Sequence, residues 1–290
     1  MNYCLICDDF PSEGRPTFVF VEQLVKELAK HGENITVIAP QSLTRHYLRH
    51  VPLLPYSMVV DNNGSPYRVV RPYSLSLGNC PLWLNNLLEK FRYRGISNAI
   101  KKFCQKPDLI YGHFWHSAYV VRKYAYKYDI PMVVACGEGD NAIEDLVSVM
   151  SEKERTRFAK AVKAVVSVSS ENKRRSINYG LTTESKVIVL PNSVDTSIFK
   201  KDPSRNIRRE LGVADDDFLI AFTGAFIHRK GSDRLSKAVE LLSDNHIKVM
   251  FIGSKLDGDD ATPTCNGIVL QGRLEHSDVP QYLFLSLIHI

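Results

Sequence analysis

The sequence runs to 290 residues, 44% hydrophobic and 24% charged, enough to bury two ordinary cores and too evenly mixed for a collagenous, disordered or low-complexity chain. A formal charge of +5 and a pI near 8.8 suit anionic ligands or an anionic membrane surface; a dedicated nucleic-acid binder concentrates its charge far more, so no nucleic-acid partner is expected. The first nine residues lack the basic and apolar regions of a leader, and no later stretch is apolar across a bilayer's width, which makes the cytoplasm the expected compartment.

Residues 3–7 read as a strand. Cys4 and Cys7 form a C-x-x-C inside it, but redox work needs the first thiol at a helix N-terminus, so the six cysteines read as reduced and buried. Residues 18–31 set Val21, Leu24, Val25 and Leu28 at helical spacing, and Gly32 supplies the stop. Strands follow at 35–39, 68–71, 109–112, 131–135 and 164–168, each separated by helical pattern. Residues 82–103 form a basic amphipathic stretch, with Trp83, Leu87, Leu88, Phe91, Ile96 and Ile100 on or near one side and Lys90, Arg92 and Arg94 elsewhere. Two readings stay open for it: a core-facing helix with a solvated back, or peripheral docking at the inner face of a membrane.

A second unit begins after Tyr179-Gly180, with strands at 186–190, 218–223, 247–252 and 267–270 and a helix over 232–242. The expected class is therefore α/β, with two Rossmann-like domains over 1–182 and 183–290 and ligands at the carboxyl ends of their strands. More crossovers are needed after Leu270 than the chain supplies, so the second domain is expected to be incomplete and the native sequence is open past Tyr282.

The segment most informative about chemistry is Phe222-Thr223-Gly224-Ala225-Phe226-Ile227-His228-Arg229-Lys230-Gly231. A strand ends, a short loop carries two adjacent cations, and Gly231 opens a helix, so Arg229, Lys230 and a positive helix terminus converge where a diphosphate would be held. A solvated basic turn is the alternative.

This loop resembles the donor-phosphate loop of retaining glycosyltransferase family 4. Leu190-Pro191-Asn192-Ser193-Val194-Asp195, with Ser193 in place of the usual Gly, is similar to the family's domain-junction element, and Phe10-Pro11-Ser12-Glu13-Gly14 to its first loop. Pro107-Asp108-Leu109-Ile110-Tyr111-Gly112-His113 resembles the strand and loop beside its acceptor cleft, and Gly272-Arg273-Leu274-Glu275 a donor-side strand end. Ala225 stands where one version of the phosphate loop has Arg, and the family's acidic E-x7-E element is absent because the chain ends first.

The resemblance implies a GT-B fold in which a nucleotide-sugar lies between the domains and a hexosyl-type group passes to a saccharide or lipid-linked acceptor with retention, in cell-surface polysaccharide or glycolipid assembly. It implies catalytic roles for Arg229, Lys230 and His113 and donor binding by Gly14, Gly224, Glu138 and Arg273. It implies no metal and no other cofactor, since the cations replace one, and an inactive chain if the cut is real.

Other readings remain. Gly137-Glu138-Gly139-Asp140-Asn141-Ala142 fits the G-x-G-x-x-A of an NAD-binding enzyme, but its two carboxylates would crowd a pyrophosphate. Asp215-Asp216-Asp217 and Asp257-Gly258-Asp259-Asp260 read as solvated loops lacking a third metal ligand from elsewhere. A non-catalytic remnant or sugar-binding protein is the alternative from outside enzymology.

Overall fold

The computed structural model describes residues 1–12, 17–77, 80–139, 141–200, 206–255, 260–275, 277–285 and 288–289. They form two compact units, Met1–Asn192 and Ser193–Ile290.

The first unit opens with β1 (Asn2–Ile6), α1 (Val19–Lys30), β2 (Asn34–Ile38), the two-residue β3 (Gln41–Ser42), α2 (Leu43–Arg49), β4 (Ser57–Val60), β5 (Tyr67–Val70) and β6 (Tyr73–Ser74). It continues with α3 (Leu82–Ala99), which passes into a π-helical turn over Ile100–Cys104, then β7 (Leu109–His113), α4 (Trp115–Tyr128) and β8 (Met132–Cys136). It closes with α5 (Ala142–Ser148), α6 (Glu152–Ala161), β9 (Val162–Ser167), α7 (Ser170–Asn178) and β10 (Val187–Val189).

Eight strands make one sheet in the order β10-β9-β8-β7-β1-β2-β5-β4, parallel throughout except where β4 pairs antiparallel with β5, while β3 and β6 make a small separate ribbon. Strands buried on both faces need apolar side chains pointing both ways. β1 shows how: Cys4 and Ile6 enter the core beneath α3 and α4, whereas Leu5 and Cys7 enter the core beneath α1. Cys4 and Cys7 are thus buried thiols on opposite faces of one sheet, as the strand reading implied. On α1 the buried residues are Val21, Val25 and Ala29, four apart, and Gly32 ends the helix in the left-handed region with φ 81°.

One boundary differs from expectation. The strand at 186–190 was assigned by pattern to the second unit, yet β10 pairs in parallel with β9 and closes a β9-α7-β10 crossover. Gly180, at φ 69°, ends α7 within the first unit, so a helix stop resembled a domain junction.

The second unit holds α8 (Ile207–Glu210), β11 (Phe218–Thr223), α9 (Ser232–Leu242), β12 (Ile247–Ile252), β13 (Ile268–Gly272), α10 (Val279–Leu283) and β14 (Ile288–His289). Its parallel sheet runs β13-β12-β11-β14. Phe222, Val249 and Phe251 pack on one face with Val239 of α9, and Leu219, Ala221 and Met250 on the other.

Candidate functional site

In the first sheet the chain order reverses across β1, which lies between β2 and β7, and the carboxyl ends of β1 and β7 form the switch point where such sheets bind ligands. His113 ends β7. It is only 8% exposed, lies among the rings of Phe18, Phe20, Tyr111 and Phe114, and neither ring nitrogen has a partner among the described residues. Burial pushes its imidazole down to about 4, with the Asp8 carboxylate partly offsetting, so the ring is neutral near pH 7.

Glu138 lies just past the neighbouring β8. Its carboxylate accepts from the backbone N–H of Trp115, the first residue of α4, and from the N–H of Gly137 at 3.0 Å. Phe114 gives α4 no side-chain cap, so Glu138 supplies the negative group that this helix end favours. Burial raises its pKa against those hydrogen bonds. The carboxylate expected to meet a sugar also holds the start of the helix next to His113.

Asp8, past the end of β1, pairs with Arg92 of α3 at 2.5 Å and accepts from the Ser117 hydroxyl at 3.3 Å. Burial alone would raise its carboxyl, but the adjacent His116 ring and the Arg92 guanidinium outweigh it and hold it well below the usual carboxylate range. Arg92, assigned by pattern to a solvated back, turns inward. Of the apolar residues of α3, Leu88 and Ile96 are buried, while Trp83 (68% exposed), Leu87 and Phe91 form an exposed stripe at four-residue spacing. Gly14 lies outside the described residues.

In the second unit the carboxyl ends of three neighbouring strands carry Gly224, Gly253 and Gly272, with φ of 147°, 157° and 152°. They are stitched by Gly224 N–H to Ile252 C=O at 2.9 Å and Gly253 N–H to Gly272 C=O at 2.8 Å. A Cβ on Gly253 would sit 1.8 Å from the Gly224 carbonyl oxygen, so these backbones approach as only glycine permits. Gly224 and Gly272 both stand in the strand-end motifs named from the sequence; the signal for Gly253 is a glycine directly closing the apolar run of β12.

From Gly224 the chain turns through Phe226, which is buried and donates its N–H to Ser254 C=O at 2.9 Å. Gly231, left-handed at φ 82°, starts α9, whose Ser232 donates its hydroxyl to Ala261 C=O at 2.6 Å. Between these anchors Arg229 and Lys230 are exposed, and neither side chain has a partner among the described residues. His228 Nδ1 lies 3.1 Å from Asp233 in the first turn of α9; burial opposes the Asp233 charge, but the His228 contact and backbone N–H groups lower its pKa. Arg273 is exposed just past β13. Gly224, Arg229, Lys230 and Arg273 thus share one edge of the second sheet, and His113 and Glu138 one edge of the first.

The acidic loops also differ from expectation. Asp216 and Asp217 do meet a third group, His246, with candidate ligand atoms all within 4.8 Å, because the turn before β11 folds against the one before β12. Asp217 already accepts the Ala214 N–H at 2.9 Å. Asp257 to Asp259 lie outside the described residues.

Residues 18–198, more than half of the chain, match the sequence model of Glycosyltransferase Family 4. The chain belongs to that family. The match covers most of the first unit and stops short of the Arg229-Lys230 loop. Among family relatives, Bacillus subtilis TuaC, named as a glycosyltransferase of teichuronic acid biosynthesis, is 28% identical over 99% of this chain and 73% of its own length. A D-inositol 3-phosphate glycosyltransferase of Kineococcus radiotolerans is 28% identical over 84% of this chain, which spans only 57% of that protein.

Solved structures agree on the fold. Sucrose-phosphate synthase of Thermosynechococcus elongatus superposes with a TM-score of 0.70 at 14% identity, over 99% of this chain and 74% of its own. Anabaena HepE, solved with UDP and glucose, gives 0.64 at 15% identity, over 100% and 73%. The architecture is GT-B-like, built from two Rossmann-type α/β units.

Proposed function

We propose that this Family 4 chain belongs to a retaining glycosyltransferase that moves a hexosyl-type group from a nucleoside-diphosphate sugar to a hydroxyl of a saccharide or lipid-linked acceptor. The observation that carries the reading is the pair Arg229 and Lys230, exposed and without a partner among the described residues, beside glycine backbones at the start of α9. Cationic side chains beside the positive end of a helix are where a diphosphate gains most.

As the bond from the anomeric carbon to the diphosphate breaks and the acceptor oxygen bonds to that carbon, negative charge grows on the leaving group. Arg229 and Lys230 stabilise it more in the transition state than in the ground state, the task a metal ion performs elsewhere. Gly224 and Gly253 keep side chains away from the donor and Arg273 meets its far end. His113, whose neutral ring has no partner among the described residues, keeps the role in transfer that the family resemblance implies, donating to or accepting from a sugar hydroxyl. Gly14 is assigned to the donor phosphates by resemblance alone.

Relatives named for teichuronic acid biosynthesis and for D-inositol 3-phosphate glycosylation support a role in cell-surface polysaccharide or glycoside assembly. No described helix is long and apolar enough to cross a membrane. The stripe of Trp83, Leu87 and Phe91, flanked by Lys90 and Arg94, supports peripheral contact with an anionic membrane face. Titration with uridine, guanosine and adenosine diphosphate sugars tests the reading: at least one should bind, more weakly to Lys230→Ala, and indifference to all three in both proteins would end it.

A further inference from the structure

A cavity of about 270 Å³, near the small end of the ~300–1,000 Å³ of ligand pockets, opens in the first unit at the carboxyl ends of β1, β2 and β5. Among the described residues, none of the site residues assigned above by resemblance lines it. Its walls come from the loop after β1, the β3-β6 ribbon and the segment joining α2 to β4. The frame is fixed: the Gln41 side chain donates to Leu54 C=O at 3.0 Å and accepts the Leu54 N–H at 2.9 Å, while the Ser42 and Ser76 hydroxyls join at 2.7 Å.

Three arginines line this frame. Arg71, just past β5, is 3% exposed and donates to Pro11 C=O at 3.2 Å. Arg92 gives one nitrogen to Asp8 at 2.5 Å but leaves its Nε buried with no partner among the described residues. Arg45, in the first turn of α2, is exposed, and its guanidinium has no partner among the described residues. Asp8 and Asp9 also line the cavity, but Asp8 is engaged by Arg92 and Asp9 accepts the N–H of Phe10 at 2.9 Å.

A guanidinium is a planar fork matched to carboxylate and phosphate oxygens, and serine hydroxyls suit the rest of a sugar ring. A neutral sugar would leave the buried Arg92 Nε unanswered, which is costly where water is excluded, and would offer the exposed Arg45 fork no charge to meet. We infer that this cavity takes the acceptor through an anionic group, phosphate or carboxylate, carried on its sugar, with Arg45 and Arg92 as the residues that select it. The acceptor role rests on the glycosyltransfer reading; the ligand class does not.

The test is calorimetric or ligand-observed NMR titration of the full chain with glucose 6-phosphate, glucuronate, glucose and inorganic phosphate. At least one anionic sugar should bind about ten-fold more tightly than glucose, and Arg45→Gln should weaken it by roughly the same factor while Arg45→Lys recovers part. Preference between phosphate and carboxylate identifies the source of the charge. Equal binding of glucose, inorganic phosphate as tight as glucose 6-phosphate, or indifference to both Arg45→Gln and Arg92→Gln would overturn the assignment. Parallel titrations with nucleoside diphosphates read the Lys230 loop separately. If those fail while anionic sugars still bind through Arg45, the glycosyltransfer reading falls, and with it the acceptor role.

Discussion

The β1, β7 and β8 ends of the first sheet and the β11, β12 and β13 ends of the second occupy equivalent places in their folds and differ in how their ionisable groups are held. At the first, His113 is desolvated among aromatic rings, Glu138 holds a helix end and Asp8 is tied to Arg92. At the second, Arg229 and Lys230 stand in solvent without partners among the described residues. The residues just past each strand decide the difference. Phe10 and Phe114 crowd the ends of β1 and β7, whereas Gly224, Gly253 and Gly272 clear the ends of β11, β12 and β13. The lesson is that a charge becomes available to a ligand where the backbone beside it carries no side chain that could use it.

The strongest way to break this comparison is to fill the glycine edge. Gly253→Ala places a Cβ 1.8 Å from the Gly224 carbonyl oxygen at φ 157°. Strain of ~1–3 kcal/mol and overpacking of ~1–3 kcal/mol together cost roughly 2–6 kcal/mol. Urea denaturation followed by a probe in the second unit should show that unit's midpoint falling sharply. An unchanged midpoint would mean the edge has room to spare.

The next largest effect sharpens the comparison. Lys230→Ala should lose roughly 2–4 kcal/mol of transition-state stabilisation with its melting temperature unchanged, because the side chain is exposed and has no partner among the described residues. Single-turnover kinetics measures it. Unaltered turnover would remove the role assigned to the loop.

The contrast bears on what a sequence discloses. Apolar runs and glycine stops gave β11, α9 and β12 with their observed bounds, because strands buried on both faces and an amphipathic helix write their periodicity directly. The spare cations were legible too, since a free charge needs no partner to be inferred. The partnered groups were not. Glu138 meets the Trp115 N–H, Arg92 meets Asp8, and His246 meets Asp217 across long stretches of chain, and no local pattern encodes such meetings. The antiparallel edge strand β4 and the β3-β6 ribbon escaped for a related reason: short, half-exposed segments carry too little periodicity to be read.

A third prediction tests the desolvated side. The His113 imidazole titrates at about 4 in the folded chain against 6.5 when exposed. As pH falls below 6.5 the unfolded state takes up a proton that the native ring refuses, so stability falls with it, until the loss is complete below the folded value. The loss reaches up to roughly 3 kcal/mol. Denaturation midpoints should drop between pH 7 and pH 4, and His113→Phe should flatten that part of the profile. An equal slope in the variant would place the pH sensitivity elsewhere.

The smallest expected effect separates the two roles open to Glu138. Glu138→Gln keeps the shape, but its amide presents one acceptor where the carboxylate presented two, so either the Trp115 or the Gly137 N–H loses its partner. Losing one charge-assisted bond at a helix N-terminus costs about 1–2 kcal/mol. If Glu138 serves α4 alone, melting temperature falls while the donor KM stays put. If it also touches the sugar, KM rises beyond what the stability change produces, and the first sheet's edge would then share the availability that marks the second.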